Sequence, residues 1–246
     1  AAMGGEPLGA VIGLGLPKRA RLSEVEALYR GLARAARRFS CPIVGGDTNR
    51  SKGNWTIAVT LLGETRRRPL LRSAARPGDS LWVTGELGGA ALAWRAQRAG
   101  KTVPEAIRRR LHSPTPRLQW GRHLSAFGKV GAAIDLSDGL AGDLGHIAEA
   151  SGVGFDVEWE TLPRPRSFAG LCAKVGTEVW ETLLEGGEDY ELLFTLQAGA
   201  EQAFGDYALR RGLKAARIGR ARRGTGIRWL EQGRELRRRF GGFRHF

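Results

Sequence analysis

The spacing of apolar and polar residues lays out strands and helices in alternation. Residues 9–16 are an apolar run that predicts a strand, stopped by Pro17. Ser23-Glu24-Val25-Glu26 reads as a capping box. The helix it opens carries Val25, Leu28, Leu32, Ala35 and Phe39 on one face. Cys41-Pro42-Ile43-Val44 predicts a short strand entering the turn Gly45-Gly46-Asp47-Thr48. Trp55, Ile57, Val59 and Leu61 alternate with Thr56, Ala58 and Thr60, which predicts a strand buried on one face. Residues 65–80 are polar, hold Pro69 and Pro77, and read as a connection.

A second series follows. Leu81–Thr84 predicts a strand, Gly85–Gly89 a turn and Ala90–Ala99 a helix. Residues 112–117 are a loop punctuated by Pro114 and Pro116. The apolar strand Ala132-Ala133-Ile134 gives way to a helix with Leu140, Leu144 and Ile147 on one face. Phe155, Val157 and Trp159 alternate with acids as a strand. The turn Gly186–Glu191 leads into a strand over Tyr190–Thr195, and a helix near 201–212 and a strand at Ala216–Gly219 complete the order. The class is mixed α/β, of the α+β kind, in two units divided near residue 75, 1–75 and 76–246.

Composition fits a globular chain: 246 residues, 42% hydrophobic and 26% charged. No run approaches the roughly 20 apolar residues of a membrane span. The two cysteines, Cys41 and Cys172, make neither a disulfide framework nor a metal cluster and read as buried thiols in a reducing cytosol. Net charge is +14, from 39 Lys+Arg against 25 Asp+Glu. The arginines are dispersed and no nucleic-acid motif accompanies them, so the charge argues for attraction of phosphorylated substrates more than for nucleic acid.

The candidate chemistry lies at three acidic, glycine-rich junctions. Asp135 and Asp138 flank Ser137 where a strand ends and a helix starts, an arrangement suited to hard cations and the phosphates they carry. The competing reading of Asp138 is a helix N-cap, which leaves Asp135 unexplained. Asp47 and Glu188 stand in the other two junctions. There is no Walker A sequence, no dinucleotide fingerprint and no nucleophile elbow. His112, His123, His146 and His245 are scattered, and His146 reads as a surface residue. Acidic clusters without acid–base partners suit phosphoryl transfer, with Asp47, Asp135 and Asp138 on Mg²⁺ and Arg72 balancing phosphate charge.

Taken in order, Gly45–Thr48, Asp135–Leu140 and Gly186–Leu192 resemble the thiamine-monophosphate kinase family. Tyr29–Leu32, Arg72–Asp79 and Gly242–Phe246 add to the likeness, which covers essentially the whole chain. The resemblance implies a two-domain architecture like that of aminoimidazole ribonucleotide synthetase. Residues 1–75 would be the remainder of an ATP- and Mg²⁺-binding, dimer-forming domain with a truncated N-terminal part. It implies ATP-dependent phosphorylation of thiamine monophosphate to thiamine diphosphate with several Mg²⁺ ions. Tyr29, Gly46, Asp47, Arg72 and Ser137 would contact ATP, and Asp47, Asp135 and Asp138 would hold metal. Glu188, with Phe243 or Phe246, would meet the substrate. A homodimer in the full-length form and a cytoplasmic location are implied. The family's upstream acidic strands are expected to be missing here, so this polypeptide alone is expected to be poorly active. The alternatives are a superfamily enzyme with another acceptor, or a non-catalytic nucleotide- or nucleic-acid-binding domain.

Overall fold

The computed structural model describes residues 1–238 and 240–242. The chain divides into two compact units: Gly5–Arg66, and Ala1–Gly4 together with the chain from Arg67 onward.

The smaller unit holds β1 (Glu6–Pro17), α1 (Leu22–Arg38), β2 (Ile43–Ser51) and β3 (Thr56–Glu64). Its sheet has β1 at the centre, parallel to β2 and antiparallel to β3. A parallel neighbour needs a crossover, and α1 provides it. Gly45–Thr48 does not form the expected turn. It lies inside β2, with Gly46 opposite Ile12 and Asp47 opposite Gly13. A Cβ at Gly46 would overlap the Ile12 carbonyl oxygen, so glycine there permits close strand approach.

The capping box is also displaced. Helix α1 starts at Leu22, and Glu24 rather than Glu26 closes it, accepting the Arg21 N–H at 2.9 Å. β1 buries Ala10, Ile12 and Leu14. The expected burial of one face of β3 is not seen: Ile57, Val59 and Leu61 are 47%, 52% and 65% exposed. Alternation makes a face apolar, but burial needs a second layer over it.

The larger unit begins with β4 (Ser80–Thr84), α2 (Gly89–Arg98), α3 (Glu105–His112), α4 (Leu118–Phe127), β5 (Val130–Asp135) and α5 (Leu140–Ser151). It continues with β6 (Gly154–Glu158), α6 (Phe168–Val175), α7 (Val179–Leu184), β7 (Leu192–Leu196) and α8 (Glu201–Leu209). β8 (Ala215–Arg222), β9 (Ile227–Glu231) and β10 (Arg234–Glu235) end it. The seven strands form one sheet in the order β10-β9-β6-β8-β4-β7-β5, antiparallel except for β6 with β9.

Both faces of this sheet are covered, and β7 shows how. Leu193 points into a core with Leu92 of α2, Leu144 of α5 and Leu183 of α7. Leu192, Phe194 and Leu196 point the other way, to Leu124 of α4 and Phe204 of α8. Successive side chains alternate faces, so an unbroken apolar run is what a doubly covered strand needs. β6 ends at Glu158, one residue short of the expected strand. Trp159 instead enters a 3₁₀ turn and stacks on Trp180, with ring centroids 3.3 Å apart.

β5 lies at the edge of the sheet, bridged in parallel by Leu71 at Ala132. Asp135 is its last residue.

Candidate functional site

The loop Leu136–Gly139 joins β5 to α5, and buried Leu136 anchors it. Gly139, with φ +96°, is the N-cap residue of α5, and no side chain caps the helix. Asp138 is therefore not the N-cap that the sequence offered as an alternative. Asp143, buried in the first turn of α5, reaches back instead. Its Oδ2 accepts the N–H groups of Ser137 and Asp138, each at 3.0 Å. Burial pushes the Asp143 carboxyl up to about 6; the Asp138 and Asp135 charges add to this and the two N–H bonds oppose it.

Two loops are then stitched together. Glu188 N–H donates to the Ser137 carbonyl at 2.9 Å, and Tyr190 N–H to the Leu136 carbonyl at 2.8 Å. Leu136 N–H returns a bond to the Glu191 carbonyl at 2.9 Å. A Cβ at Gly187 would overlap the Ser137 carbonyl oxygen, so the backbones meet this closely only with glycine there. Glu188 and Tyr190 both take left-handed backbone conformations, with φ +68° and +49°.

The residues between and after them are anchored behind the loop. Asp189 Oδ2 accepts the Gly88 N–H at 2.8 Å, at the start of α2. Asp189 keeps some exposed surface, yet its Oδ1 is sealed from solvent with no partner among the described residues. Burial pushes this carboxyl up to about 7, against the pull of the Gly88 and Ala90 N–H groups. Buried Glu191 accepts the Thr84 hydroxyl at 2.6 Å and Arg117 Nε at 2.7 Å, with a second bond from the same guanidinium.

The larger unit thus gathers Asp135, Ser137, Asp138 and Glu188 at two tied loops. Among the described residues, neither the Asp135 nor the Asp138 carboxylate takes a hydrogen bond or an ion pair. Two free carboxylates beside a buried third form a donor set that fits a hard, oxygen-binding cation. Exposed His146 stands closer to this set than its scattered place in the sequence suggested. A nitrogen of its ring and carboxylate oxygens of Asp138 and Asp143 lie within 4.8 Å of one another.

Arg72 is exposed in the same unit, next to the Leu71 bridge on β5. Tyr29 on α1 and Gly46 and Asp47 on β2 belong to the smaller unit. The Asp47 carboxylate accepts the Thr48 N–H at 2.8 Å and the Asn49 amide at 2.7 Å. Phe243 and Phe246 lie outside the described residues. The described tail comes close to the site: Gly241 N–H donates to Glu185 at 2.9 Å, and Gly242 packs on Gly142 of α5. A cavity of about 820 Å³ runs along α5 between Ala141, Trp229 and Phe240, and none of the described candidate residues lines it.

Sequence reasoning missed Asp143 and Arg117, and it placed Asp189, Tyr190 and Glu191 in the Gly186–Glu191 junction without giving them individual roles. Asp143 had a faint signal, an acid in the first turn of a helix that follows two others, but that placement ordinarily serves the helix dipole.

Known proteins share this chain's fold and sequence. Residues 1–65 match the N-terminal domain of AIR synthase related proteins, and residues 76–229 match the C-terminal domain. The thiamine-monophosphate kinase of Aquifex aeolicus is 34% identical over 249 residues, covering all of this chain and 76% of its own length. That of Mycobacterium tuberculosis is 38% identical over 194 residues, covering 78% of this chain and 58% of its own length. The crystal structure of the Aquifex aeolicus enzyme superposes with a TM-score of 0.82 at 35% identity, over 96% of this chain and 76% of that one. AaThiL complexed with AMPPCP and TMP gives 0.83 at 34% identity, over 100% and 75%. The hydrogenase maturation protein HypE, at 22% identity and a TM-score of 0.77 over 96% and 77%, shares the fold. The chain belongs to the thiamine-monophosphate kinase family, within the AIR synthase related proteins.

Proposed function

We propose that the protein transfers the γ-phosphoryl group of ATP to thiamine monophosphate, giving thiamine diphosphate and ADP. The observation that carries this reading is the stitched pair of loops, which sets the free Asp135 and Asp138 carboxylates beside Glu188 in a chain of this family. A phosphate oxygen of thiamine monophosphate attacks the γ-phosphorus. A new P–O bond forms, and the bond to the β,γ-bridging oxygen breaks with its electrons leaving on ADP. No protein nucleophile is required, so the residues position groups and balance charge.

In this proposal Asp135 and Asp138 hold Mg²⁺, with Asp47 as a further ligand. Mg²⁺ supplies neutralisation of phosphate charge that carboxylates alone would repel. The Ser137 hydroxyl, Arg72, the Gly46 backbone and Tyr29 contact ATP. Glu188, with Phe243 or Phe246, faces the thiamine phosphate. Residues 1–75 form the ATP- and Mg²⁺-binding, dimer-forming part and 76–246 the second part. A homodimer and a cytoplasmic compartment belong to the same reading, the latter supported by free, buried Cys41 and Cys172.

The test is formation of thiamine diphosphate and ADP in equal amounts from thiamine monophosphate and Mg·ATP by the purified protein. Asp138→Asn is expected to lower kcat/KM at least about 100-fold and to raise the Mg²⁺ requirement. An unchanged Mg²⁺ requirement would remove Asp138 from the ligand set. Phosphorylation of some other acceptor, with none of thiamine monophosphate, would overturn the reading.

A further inference from the structure

The proline-punctuated loop between α3 and α4 ends on Arg117, the N-cap residue of α4. Pro114 and Pro116 fix φ on either side of Thr115, and the Arg117 carbonyl accepts the Gly121 N–H at 2.9 Å. The Arg117 backbone is thus held by a stiff loop on one side and a helix on the other. Its side chain is 32% exposed and reaches inward to that of Glu191, which is 1% exposed.

Arg117 forks the Glu191 carboxylate: Nε donates to Oε2 at 2.7 Å, and Nη2 donates to Oε1. Oε2 also accepts the Thr84 hydroxyl at 2.6 Å, and the Thr84 oxygen in turn accepts the Leu192 N–H at 2.9 Å. A Cβ on Gly85 would overlap this carboxylate, so it is walled in as well as bonded. A guanidinium bound at two points fixes the orientation of a carboxylate besides balancing its charge.

Glu191 joins this fork to the acidic loop. It is the last residue before β7, and its carbonyl accepts the Leu136 N–H at 2.9 Å. Leu136 stands between Asp135 and Ser137, and its own carbonyl accepts the Tyr190 N–H. One residue therefore binds Arg117 with its side chain and the base of the Asp135–Asp138 loop with its backbone.

We propose that Arg117 is a positioning residue: through the Glu191 carboxylate it holds the Leu136 backbone, and so sets the Asp135 and Asp138 carboxylates for a divalent cation. This rests on the metal role given to those aspartates under the proposed function. Groups that orient ligands from outside the coordination shell change metal affinity about 10–100-fold, and Arg117, acting one residue further out, falls at the low end.

The experiment uses Mn²⁺ as the probe, its binding to the full chain read by electron paramagnetic resonance without nucleotide or substrate. Arg117→Lys keeps a cation for buried Glu191 but cannot span both oxygens. It is expected to weaken Mn²⁺ binding about tenfold. Arg228→Lys makes the same change at the fork on Asp156 and is expected to leave Mn²⁺ affinity within about twofold. Glu191→Gln combined with Arg117→Lys is expected to bind Mn²⁺ no worse than Glu191→Gln alone. An unchanged affinity in Arg117→Lys, an equal loss in Arg228→Lys, or additive losses in the double variant would each overturn the proposal.

The same proteins are read without metal by amide hydrogen exchange. In Arg117→Lys the Leu136 and Tyr190 amides are expected to exchange about tenfold faster, with the remote Phe155 amide within about twofold. Uniform acceleration would show a merely structural arginine, and unchanged exchange at Leu136 would overturn its link to the loop. If the unaltered protein binds no Mn²⁺, the metal role of Asp135 and Asp138 falls, while exchange still decides whether Arg117 holds Leu136.

Discussion

The two units bury their sheets very differently. In the larger unit β7 is buried at every position, its alternate residues divided between two cores. In the smaller unit only one row of β1 is buried, and β3 is exposed along its whole length although its apolar residues alternate as those of a strand with one covered face would. An alternating or continuous apolar run thus reports what a strand offers for packing, and not whether another layer takes it. The acidic residues differ in the same way. Asp138 sits on a loop whose N–H groups are held by buried Asp143, whereas Asp47 is held by the exposed Thr48 and Asn49 beside it.

The sharpest test of this contrast is truncation in each unit. Phe194 is fully buried and packs edge-on to Phe204 with ring centroids 5.6 Å apart. Phe194→Ala is expected to cost about 3–5 kcal/mol in denaturant unfolding, from lost burial and the cavity left behind. Leu61→Ser on β3 is expected to stay within about 0.5 kcal/mol. Similar losses at the two positions would break the contrast, since Leu61 would then be packed in solution.

A second test concerns how firmly the larger unit anchors its site. The Asp189 carboxyl is raised to about 7 in the folded protein, against about 3.9 when unfolded. The folded state therefore binds more protons between these values. Stability is fully present below about pH 4 and is lost as pH rises towards 7. Asp189→Asn keeps an acceptor for the Gly88 N–H but carries no charge. It is expected to flatten the fall in melting temperature between pH 4.5 and 7.5, and to be more stable than the unaltered protein at pH 8 by up to a few kcal/mol. Parallel pH curves for the two would mean that Asp189 is not the group responsible.

Much of the larger unit was legible in sequence because local pattern and tertiary outcome coincide there. The strands β4, β5 and β8 and the helices α2, α5 and α8 fall where apolar periodicity put them, to within a few residues. The smaller unit was legible in element type but not in burial or local geometry. Gly45-Gly46 looked like a turn because glycine pairs usually are; the structure uses Gly46 for strand approach, a need visible only once Ile12 stands opposite. At the candidate site the free carboxylates could be named from spacing. Their supports could not, because Asp143, Asp189, Glu191 and Arg117 act through partners that are remote in sequence or run against the usual capping direction. Glu191 and Arg117, for instance, are 74 residues apart.

A smaller cost than at Phe194 or Asp189 is expected towards the far edge of the large sheet, where polar pairs rather than packing face solvent. The parallel register of β6 with β9 sets Asp156 opposite Arg228. Arg228 binds both oxygens of Asp156 at 2.7 Å, and Arg222 Nε adds a bond at 3.1 Å. The hydrogen bonds from Arg228, supported by both guanidinium charges, hold the Asp156 carboxyl below the usual carboxylate range. A depressed pKa means that the unfolded state binds the extra proton, so this stability is present above about pH 4 and is lost as pH falls through the folded value. Asp156→Asn is expected to cost about 1 kcal/mol at pH 7, less in high salt, and nearly nothing at pH 2.5. A cost that is the same at pH 7 and pH 2.5 would show that Asp156 contributes packing rather than charge, and would narrow the difference between this edge and the core around β7.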